Sequence, residues 1–464
     1  MEQEQHHSEQ YEERKLSSVI NIIVFCFLTT CFGALFFFLP EQKISEVEKR
    51  KLSEFPTLTE KSIKSGDYMD SLDIYSADHF PFRSQFLATA TKLKKLRGYQ
   101  NKNESFYNDI EAIDNLPSKN KKKQDFSKNT EKTNTAGLLI LNGKAFQIFN
   151  NNNPLHKQFE KLIYYYRREI PKSVRLFSGI VPTSTDFYLT KKQTEFINLE
   201  QQNIQKSDQK ISKYVTVIPI YQELKKHSKE YIYFNTDHHW TSLGAYYAYK
   251  AYCKAAHLNA IDLINMKRKR VPGDFLGTHF LKTKDDRIKN NPDSIIYWIP
   301  PTKKIALRYR ENKEVRIKVF RKKKIKKNKY LVFLGGDEPL IILSSKDVKN
   351  GKSALVIKNS YGNPFVPYLT SNYETVVVVD YRYAEKSILS LINEFDINDV
   401  IILNSIFSSN TKTHLDRQRD ILKLNEGINN NFVKKKNKQD KSQIKDSLEK
   451  NFKFDSLTNT NLEI

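Results

Sequence analysis

The chain has 464 residues, of which 39% are hydrophobic and 28% charged. Such a length and composition allow one large or two modest cores and exclude a mini-protein, a collagen or a polytopic transporter. The 77 lysines and arginines outnumber the 53 aspartates and glutamates, giving a net charge of +24 at pH 7. This excess indicates an anionic neighbour such as nucleic acid, lipid head groups or a phosphate-bearing wall polymer.

The first predicted element is a membrane anchor at residues 19–39, behind a short N-terminal tail at 1–18. The anchor segment carries no charge, and at about 1.5 Å rise per residue it just spans a hydrocarbon core of about 30 Å. It is longer than a usual signal-peptide core and lacks a small-residue cleavage site, which favours an uncleaved anchor. Basic residues flank both ends, so charge alone leaves the orientation undecided.

Cysteine usage limits the soluble part. Cys26 and Cys31 lie inside the predicted anchor, which leaves Cys253 alone in the remaining chain. No intramolecular disulfide can therefore form in the soluble part. This permits either a cytosolic body or a bacterial extracytoplasmic one.

The order of patterns along the chain predicts its domains. Residues 40–115 are predicted to form a stalk and N-terminal block, and 116–135, rich in lysine and poor in apolar residues, a flexible insert. From 136 to 425 apolar runs alternate with helical patterns, which predicts an α/β fold with a mostly parallel sheet flanked by helices. Within it, the basic segment at about 280–329 is predicted to be an insertion. Residues 426–464 are predicted to be a basic, disordered tail.

The predicted strands and helices follow from the same patterns. The strands are LLIL (138–141), VRLFSGIVP (174–182), VTVIPI (215–220), YIYF (231–234), YLVFL (330–334), ALVIK (354–358), TVVVVD (375–380) and VIIL (400–403). The helices cover 68–98, 156–170, 196–211, 241–256 and 384–395.

The densest group of reactive side chains is TDHHWT at 236–241, between a short strand and a strong helix. In an extended segment Asp237 and His239 project to one side, so the carboxylate can accept a hydrogen bond from Nδ1 and leave Nε2 facing a substrate. Ser360 follows the apolar run ALVIK at the start of a turn, where backbone N–H groups lie near the hydroxyl. Together the three residues make a nucleophile, a general base and its orienting acid.

Plainer interpretations compete with this one. A serine after an apolar strand is usually only a turn residue. The Asp-His-His run could hold a metal ion, but it supplies few ligands at suitable spacing, so we expect no metal. The pair Gly335 and Gly336 lacks the rest of any phosphate-binding motif, so we expect no cofactor.

The segment TDHHWTSLGAYYAY (236–249) resembles the DHHW protein family, which is named after its tetrad. More broadly, the chain is similar to AlgJ/AlgX-type SGNH-hydrolase-like polysaccharide O-acetyltransferases. The resemblance runs in order from about residue 46 to about 405. Its further segments are EKRKL (48–52) with FP (55–56), DHFPFR (78–83), VPT (181–183), GDFLGT (273–278), VFLGGDEP (332–339), IKNSYGNPFVPYL (357–369) and VVVVDYRY (376–383).

The resemblance implies an SGNH-hydrolase-like α/β core in rearranged order, because the Asp-x-His unit precedes the serine. It assigns Asp237, His239 and Ser360 to the catalytic triad, and His238 occupies the variable middle place of the tetrad.

The candidate oxyanion donors are the backbone N–H groups of Tyr361, Gly335 and Gly336. Where the family is expected to have Gly-Gly-Asn, this chain has Asp337, whose ionised side chain cannot donate a hydrogen bond. Either the oxyanion hole relies on backbone N–H groups or the enzyme is weak. Asn359 stands where an aspartate is usual.

The resemblance also implies a bacterial, single-pass membrane protein with its catalytic body outside the cytoplasm and a membrane-bound O-acyltransferase as partner. We therefore predict O-acetyl transfer to an anionic cell-surface polysaccharide or wall polymer. The same triad would serve an esterase or deacetylase, and without catalysis the chain would be a basic wall-polymer binding protein. The runs KRKR and RKKKIKK lack a recognition motif, so no nucleic-acid partner is expected.

Overall fold

The computed structural model describes residues 2–38, 44–45, 50–64, 66–83, 85–86, 89, 104–107, 135–149, 154–189, 200–311, 313–322, 325 and 328–424. The described residues fall into two units, one up to residue 89 and one from residue 104 onward. The predicted tail at 426–464, and all but the last residue of the predicted insert, lie outside the described residues.

The N-terminal unit is built on the long helix α1 (Glu2–Phe38). Within the described part of the chain, one stretch, Ser18–Phe36, is long and apolar enough to cross a membrane. Strands β1 (Ile44–Ser45) and β2 (Arg50–Lys51) form an antiparallel pair. Helices α2 (Glu60–Lys64) and α3 (Asp67–Asp78) follow.

An eight-stranded sheet forms the centre of the second unit. In chain order its strands are β6 (Arg175–Val181), β7 (Thr216–Val217), β10 (Lys304–Arg310), β11 (Lys313–Ile317), β12 (Leu340–Ser345), β13 (Ser353–Lys358), β14 (Thr375–Asp380) and β15 (Asp399–Ser405). The spatial order is β11-β10-β12-β14-β13-β15-β6-β7. The five neighbouring strands β14, β13, β15, β6 and β7 are parallel. On the other side of β14, strands β12, β10 and β11 are each antiparallel to their neighbours.

Two smaller sheets complete the strands of this unit. Strands β3 (Glu104–Tyr107), β4 (Thr135–Leu141) and β5 (Lys144–Phe149) form an antiparallel sheet. Strands β8 (Lys267–Arg270) and β9 (Ile296–Ile299) form an antiparallel pair. The predicted strand LLIL is therefore real but belongs to a separate small sheet.

The helices of this unit connect the strands and pack against one another. In chain order they are α4 (His156–Glu169), α5 (Thr185–Tyr188), α6 (Glu200–Ile211), α7 (Ile220–Lys226), α8 (Ser242–Ala256), α9 (Thr278–Thr283), α10 (Asp286–Lys289), α11 (Gly362–Leu369), α12 (Ile388–Glu394), α13 (Ile406–Ser409) and α14 (Lys412–Leu422). Helix α4 packs with α6 and α14, and α8 packs with α7 and α11. The predicted α/β fold class is confirmed.

The central strands form because their apolar runs can be buried on both faces. The four valines 376–379 of β14 are each at most 1% exposed, as expected for a strand covered on both sides. Because neighbouring parallel strands end at the same edge of a sheet, the carboxyl ends of β13, β14 and β15 lie side by side. Ser360 follows one of these ends.

Some predicted strands are wrong. YLVFL forms a 3-10 turn at Lys329–Val332, because Leu334, Gly335 and Gly336 all have positive φ angles, of 56°, 79° and 115°, and left-handed residues interrupt a strand. YIYF is reduced to one bridge between Tyr233 and Trp240. The basic segment predicted as an insertion supplies β10 and β11 to the large sheet.

Candidate active site

Ser360 lies in a turn between β13 and α11. The turn is closed by a hydrogen bond from the Gly362 N–H to the Asn359 carbonyl oxygen, at 3.0 Å. The Asn359 side chain accepts from the Tyr361 N–H at 3.1 Å and donates to Ser408 Oγ at 2.9 Å. Asn359 therefore stabilises the turn and ties it to the residues after β15.

The segment that carries Asp237 and His239 is held at both ends. On one side, the Asp293 carboxylate accepts from the backbone N–H groups of Asn235 and Thr236, at 2.7 and 2.8 Å. On the other, the Thr241 side chain caps α8 by accepting from the Gly244 N–H at 3.3 Å. A hydrogen-bonding N-cap of this kind begins a helix at a defined residue.

Trp240 connects this segment to the serine turn. Its Nε1–H donates to the Tyr361 carbonyl oxygen at 2.9 Å, and the Tyr361 hydroxyl donates to the His238 carbonyl oxygen at 2.7 Å. These two reciprocal bonds join parts of the chain that are more than 120 residues apart.

The structure brings Asp237, His239 and Ser360 into one hydrogen-bonded row. His239 Nδ1 lies 2.6 Å from Asp237 Oδ1, and His239 Nε2 lies 2.8 Å from Ser360 Oγ. All three residues are buried, with exposures of 4%, 5% and 7% respectively. This is the order and spacing in which an imidazole can take a proton from a serine hydroxyl while a carboxylate orients the ring.

The surroundings of Asp237 keep it ionised. Burial raises the pKa of its carboxyl group, but the His239 and His238 rings, together with the hydrogen bonds from His239 and the Thr278 backbone, hold the pKa well below its ordinary value. Asp237 Oδ2 accepts from both the N–H and the hydroxyl of Thr278, at 2.8 and 3.0 Å. A permanently charged carboxylate can stabilise an imidazolium during proton transfer.

His238 packs beside His239 but has a different hydrogen-bond partner. Its Nδ1 lies 2.7 Å from Thr278 Oγ1, and its Nε2 is buried without a hydrogen-bond partner. Burial, and then the neighbouring His239, lower the pKa of the His238 ring well below its ordinary value. His238 is therefore a neutral imidazole that packs beside His239.

Ligand atoms of Asp237, His238 and His239 lie within 4.8 Å of one another, close enough to share a metal ion. However, both carboxylate oxygens of Asp237 and both ring nitrogens of His239 are already hydrogen-bonded within the protein. The 2.6 Å separation between Asp237 and His239 is that of a direct hydrogen bond. The donor set fits a proton-transfer pair better than a metal ion.

Two contacts with the row could not be anticipated from the motifs. The Tyr330 ring stacks on the His239 ring with centroids 4.0 Å apart and an interplanar angle of 14°. The Tyr330 hydroxyl donates to the Ser360 carbonyl oxygen at 3.0 Å. Tyr330 therefore contacts both the imidazole and the serine turn, although its sequence predicted a strand.

The three candidate oxyanion donors differ in their backbone contacts. The Tyr361 N–H donates to the Asn359 side chain, and the Gly336 N–H donates to the Phe333 carbonyl oxygen at 3.2 Å. Gly335 has a φ angle of +79°, a conformation that favours glycine.

Asp337 belongs to a charged network next to the serine turn. Its carboxylate lies 2.9 Å from Arg382 Nη2 and 3.4 Å from Lys358 Nζ, and it accepts from Asn363 Nδ2 at 2.9 Å. Burial raises the pKa of the Asp337 carboxyl group. The positive charges of Arg382 and Lys358 outweigh this effect and hold the pKa below its ordinary value, so the group stays ionised. The side chain at this position therefore accepts hydrogen bonds and donates none.

The sequence pattern of the family described as DHHW protein matches residues 124–379, more than half of the 464 residues. The chain belongs to the DHHW protein family. The crystal structure of a DHHW family protein from Eubacterium siraeum DSM 15702 is similar to this DHHW protein. The two share 28% identity and a TM-score of 0.56, over 62% of this chain and 95% of that one.

Two further solved structures resemble this DHHW protein less closely. Bacillus cereus PatB1 with a sulfonyl adduct has 18% identity and a TM-score of 0.49, over 61% of this chain and 98% of that one. The O-acetyltransferase domain of Pseudomonas putida AlgJ has 13% identity and a TM-score of 0.34, over 60% and 96%. None of the curated proteins compared with this DHHW protein matches it.

Proposed function

We propose that this protein is a membrane-anchored O-acyltransferase that uses Ser360, His239 and Asp237 to transfer an acetyl group to a cell-surface polymer outside the cytoplasm. The observation that supports the proposal is the hydrogen-bonded row with separations of 2.6 and 2.8 Å. A serine hydroxyl is a weak nucleophile until an adjacent base removes its proton. His239 is that base.

The reaction has two steps, acylation of Ser360 and transfer of the acetyl group to the acceptor. In the first, His239 Nε2 takes the proton of Ser360 Oγ while Oγ bonds to the acetyl carbonyl carbon. The bond to the donor's leaving oxygen then breaks, and His239 returns the proton to that oxygen. In the second step, a sugar hydroxyl loses its proton to His239, attacks the acetyl-serine and releases Ser360 Oγ, which regains the proton. Asp237 remains ionised throughout.

The location and partners follow from the anchor, the charge and the family resemblance. Helix α1 holds the apolar stretch Ser18–Phe36 near the N-terminus. A membrane-bound O-acyltransferase is the proposed source of acetyl groups on the outer side. The net charge of +24 suits an anionic polysaccharide or wall polymer as acceptor.

The test is acyl-enzyme formation by the full-length protein in detergent. The wild type, incubated with a chromogenic acetyl ester, is expected to release the chromophore and to gain one acetyl mass on the peptide that contains Ser360. Ser360→Ala should lose the adduct, and His239→Ala should slow turnover by about 100-fold or more, since general bases contribute about 10²–10⁴-fold.

A matched control is Ser345→Ala. Ser345 is a buried serine at the end of β12 in the large sheet, and its hydroxyl donates to the Thr370 carbonyl oxygen at 2.8 Å. This variant should react like the wild type. Equal turnover in the wild type and Ser360→Ala would refute the catalytic proposal and leave polymer binding as the function.

An added acceptor distinguishes transfer from hydrolysis. With a wall-polymer fragment present, an acyltransferase should place the acetyl group on the fragment. Acetate as the sole product, with the fragment bound and saturating, would identify an esterase with the same triad.

A further inference from the structure

A cluster of aromatic side chains in the N-terminal unit packs against the side of α1. The Phe80 ring stacks on Phe32 with centroids 5.5 Å apart and an interplanar angle of 18°. Phe86 contacts both rings, at 5.6 and 6.1 Å. Further along α1, Phe36 meets Tyr75 of α3 edge-on at 5.8 Å. After α3 the chain therefore turns back along α1.

The polar part of the DHFPFR block holds this turn in place. Asp78 Oδ2 accepts from the Ser53 N–H at 2.9 Å, and His79 Nε2 lies 2.9 Å from the Ser53 carbonyl oxygen. Asp78 and Pro81 are buried. Buried Asp78 and half-buried His79 thus both bind the backbone of a neighbouring segment.

The aromatic residues of the same turn face outward. Phe80, Phe82 and Phe86 are 45%, 48% and 47% exposed. Five other large apolar residues of this unit are each more than half exposed, namely Phe55, Leu58, Ile63, Met69 and Ile74. In a turn that faces water, polar side chains are usually exposed and aromatic rings buried. Here the aromatic rings are exposed, which marks an interaction surface.

The depth of the turn follows from helix geometry. Phe32 lies four residues before the end of the apolar stretch Ser18–Phe36, which is about 6 Å along the helix axis. A ring that stacks on Phe32 must lie at the same depth as Phe32. The space of about 370 Å³ between α1 and this turn has an apolar lining that includes Phe25, Leu28, Gly33, Phe36 and Pro81.

We propose that residues 79–83 and 85–86, which we call the aromatic turn, insert into the outer leaflet of the bilayer beside α1. The N-terminal unit would then contact lipid through two elements instead of one. This inference rests on the part of the proposed function in which α1 spans the membrane. Lipid is the occupant because acyl chains surround a spanning helix at the depth of Phe32, and exposed rings at that depth meet the same chains.

The test measures the depth of a fluorophore in the full-length protein. Phe82→Cys, with Cys26→Ala and Cys31→Ala, carries a nitrobenzoxadiazole label in vesicles of phosphatidylcholine and phosphatidylglycerol. Cys253 is buried, and burial raises its pKa to about 12, so it reacts little. The in-membrane reference keeps Cys31 as the labelled residue, and the aqueous reference is Lys229→Cys at an exposed position.

The label at position 82 is expected to be quenched by 5-doxyl lipid at least threefold more than the label at 229, and to be shielded from iodide. Phe86→Cys, a second labelled position, should give the same result if the turn is seated as a whole. Iodide quenching at both 82 and 86, with doxyl quenching at Cys31, would overturn the inference and leave the anchor intact. Iodide quenching at Cys31 as well would overturn the anchor and the inference together.

Discussion

Gly277 lies against Asp237 so closely that no side chain fits between them. A Cβ at position 277 would be 2.2 Å from Asp237 Cβ and 2.4 Å from Oδ2. The next residue, Thr278, places its N–H and hydroxyl on the same oxygen. The loop before α9 therefore sets the position of the carboxylate that orients His239.

Gly277→Ala is expected to impair catalysis although it replaces none of the three triad residues. The added methyl group must displace Asp237 or the loop, which would weaken the hydrogen bond to His239 Nδ1. We expect kcat/KM for an acetyl ester to fall about tenfold or more, since about 1.4 kcal/mol in the barrier corresponds to tenfold. Steady-state kinetics and a melting curve on the same preparation measure both effects.

Gly351→Ala is the control for Gly277→Ala. Gly351 has a φ angle of +64°, and a methyl group added there would meet no atom within 4 Å, so alanine strains the backbone without contacting Asp237. It should lower the melting temperature and leave kcat/KM within about twofold of the wild type. Similar losses of activity in both variants would mean that stability alone explains the Gly277 effect.

Tyr330 offers a way to separate ring stacking from hydrogen bonding. Tyr330→Phe keeps the ring on His239 and removes the bond to the Ser360 carbonyl oxygen, so we expect a loss in kcat/KM of about fivefold, corresponding to about 1 kcal/mol. Tyr330→Ala also removes the stack, so that one face of the His239 ring loses its support, and its loss should be at least several-fold greater. The pH profile of kcat/KM should change shape in Tyr330→Ala alone. Equal losses in the two variants would show that the stack does not position His239.

The sequence patterns predicted the central strands of the large sheet correctly but missed strands near its edge. Apolar runs predicted β13, β14 and β15 because burial on both faces leaves a continuous signal. Strand β10 was not predicted because its arginines made the segment look like a solvated basic insertion. In the folded protein Arg308 and Arg310 form ion pairs with Glu338, at 3.2 and 2.8 Å. Such a pair exists only after the chain has folded.

The candidate site shows the same division. The spacing of Asp237 and His239 and the turn at Ser360 are local features, and the motifs that contain them were visible in the sequence. The stack of Tyr330 on His239 and the close approach of the Gly277 backbone to Asp237 both join segments that are remote in sequence. No residue type or periodicity reports such contacts in advance.

Asp337→Asn tests whether the charge next to the serine turn stabilises the fold. The folded-state pKa of Asp337 lies below its unfolded value, so the charge stabilises above about pH 4 and this stabilisation is lost as the pH falls. The side chain is 25% exposed, so we expect the variant to lose about 1–2 kcal/mol at pH 7. Urea unfolding at pH 7 and pH 3 should show the difference shrinking in acid.

Asp416→Asn is the matched control for Asp337→Asn. Asp416 pairs on the surface of α14 with Arg419 at 3.0 Å and also with Lys412, and such exposed pairs contribute about 0–1 kcal/mol. Its effect at pH 7 should be the smaller one. A large rise in kcat for Asp337→Asn would contradict the structural role and place residue 337 in the oxyanion hole, because asparagine can donate where aspartate cannot.

Glu200 should make the protein less stable as the pH rises through neutrality. It is 1% exposed, and burial, together with the nearby Asp186, raises its pKa to about 8. In the unfolded chain a glutamate ionises at about 4.3. Between these two values the unfolded state has released the proton and the folded state has kept it, so the free energy of unfolding falls with rising pH.

Glu200→Gln should remove this part of the pH dependence. The amide oxygen can still accept from Thr183, which now donates to the carboxyl group through its N–H at 2.8 Å and its hydroxyl at 2.6 Å. Melting temperatures at pH 5, 6.5 and 8 should fall more steeply in the wild type than in Glu200→Gln. Gln202→Ala, at an exposed position of the same helix, should keep the wild-type slope. Parallel curves for the wild type and Glu200→Gln would mean that Glu200 is already ionised in the folded protein at pH 5.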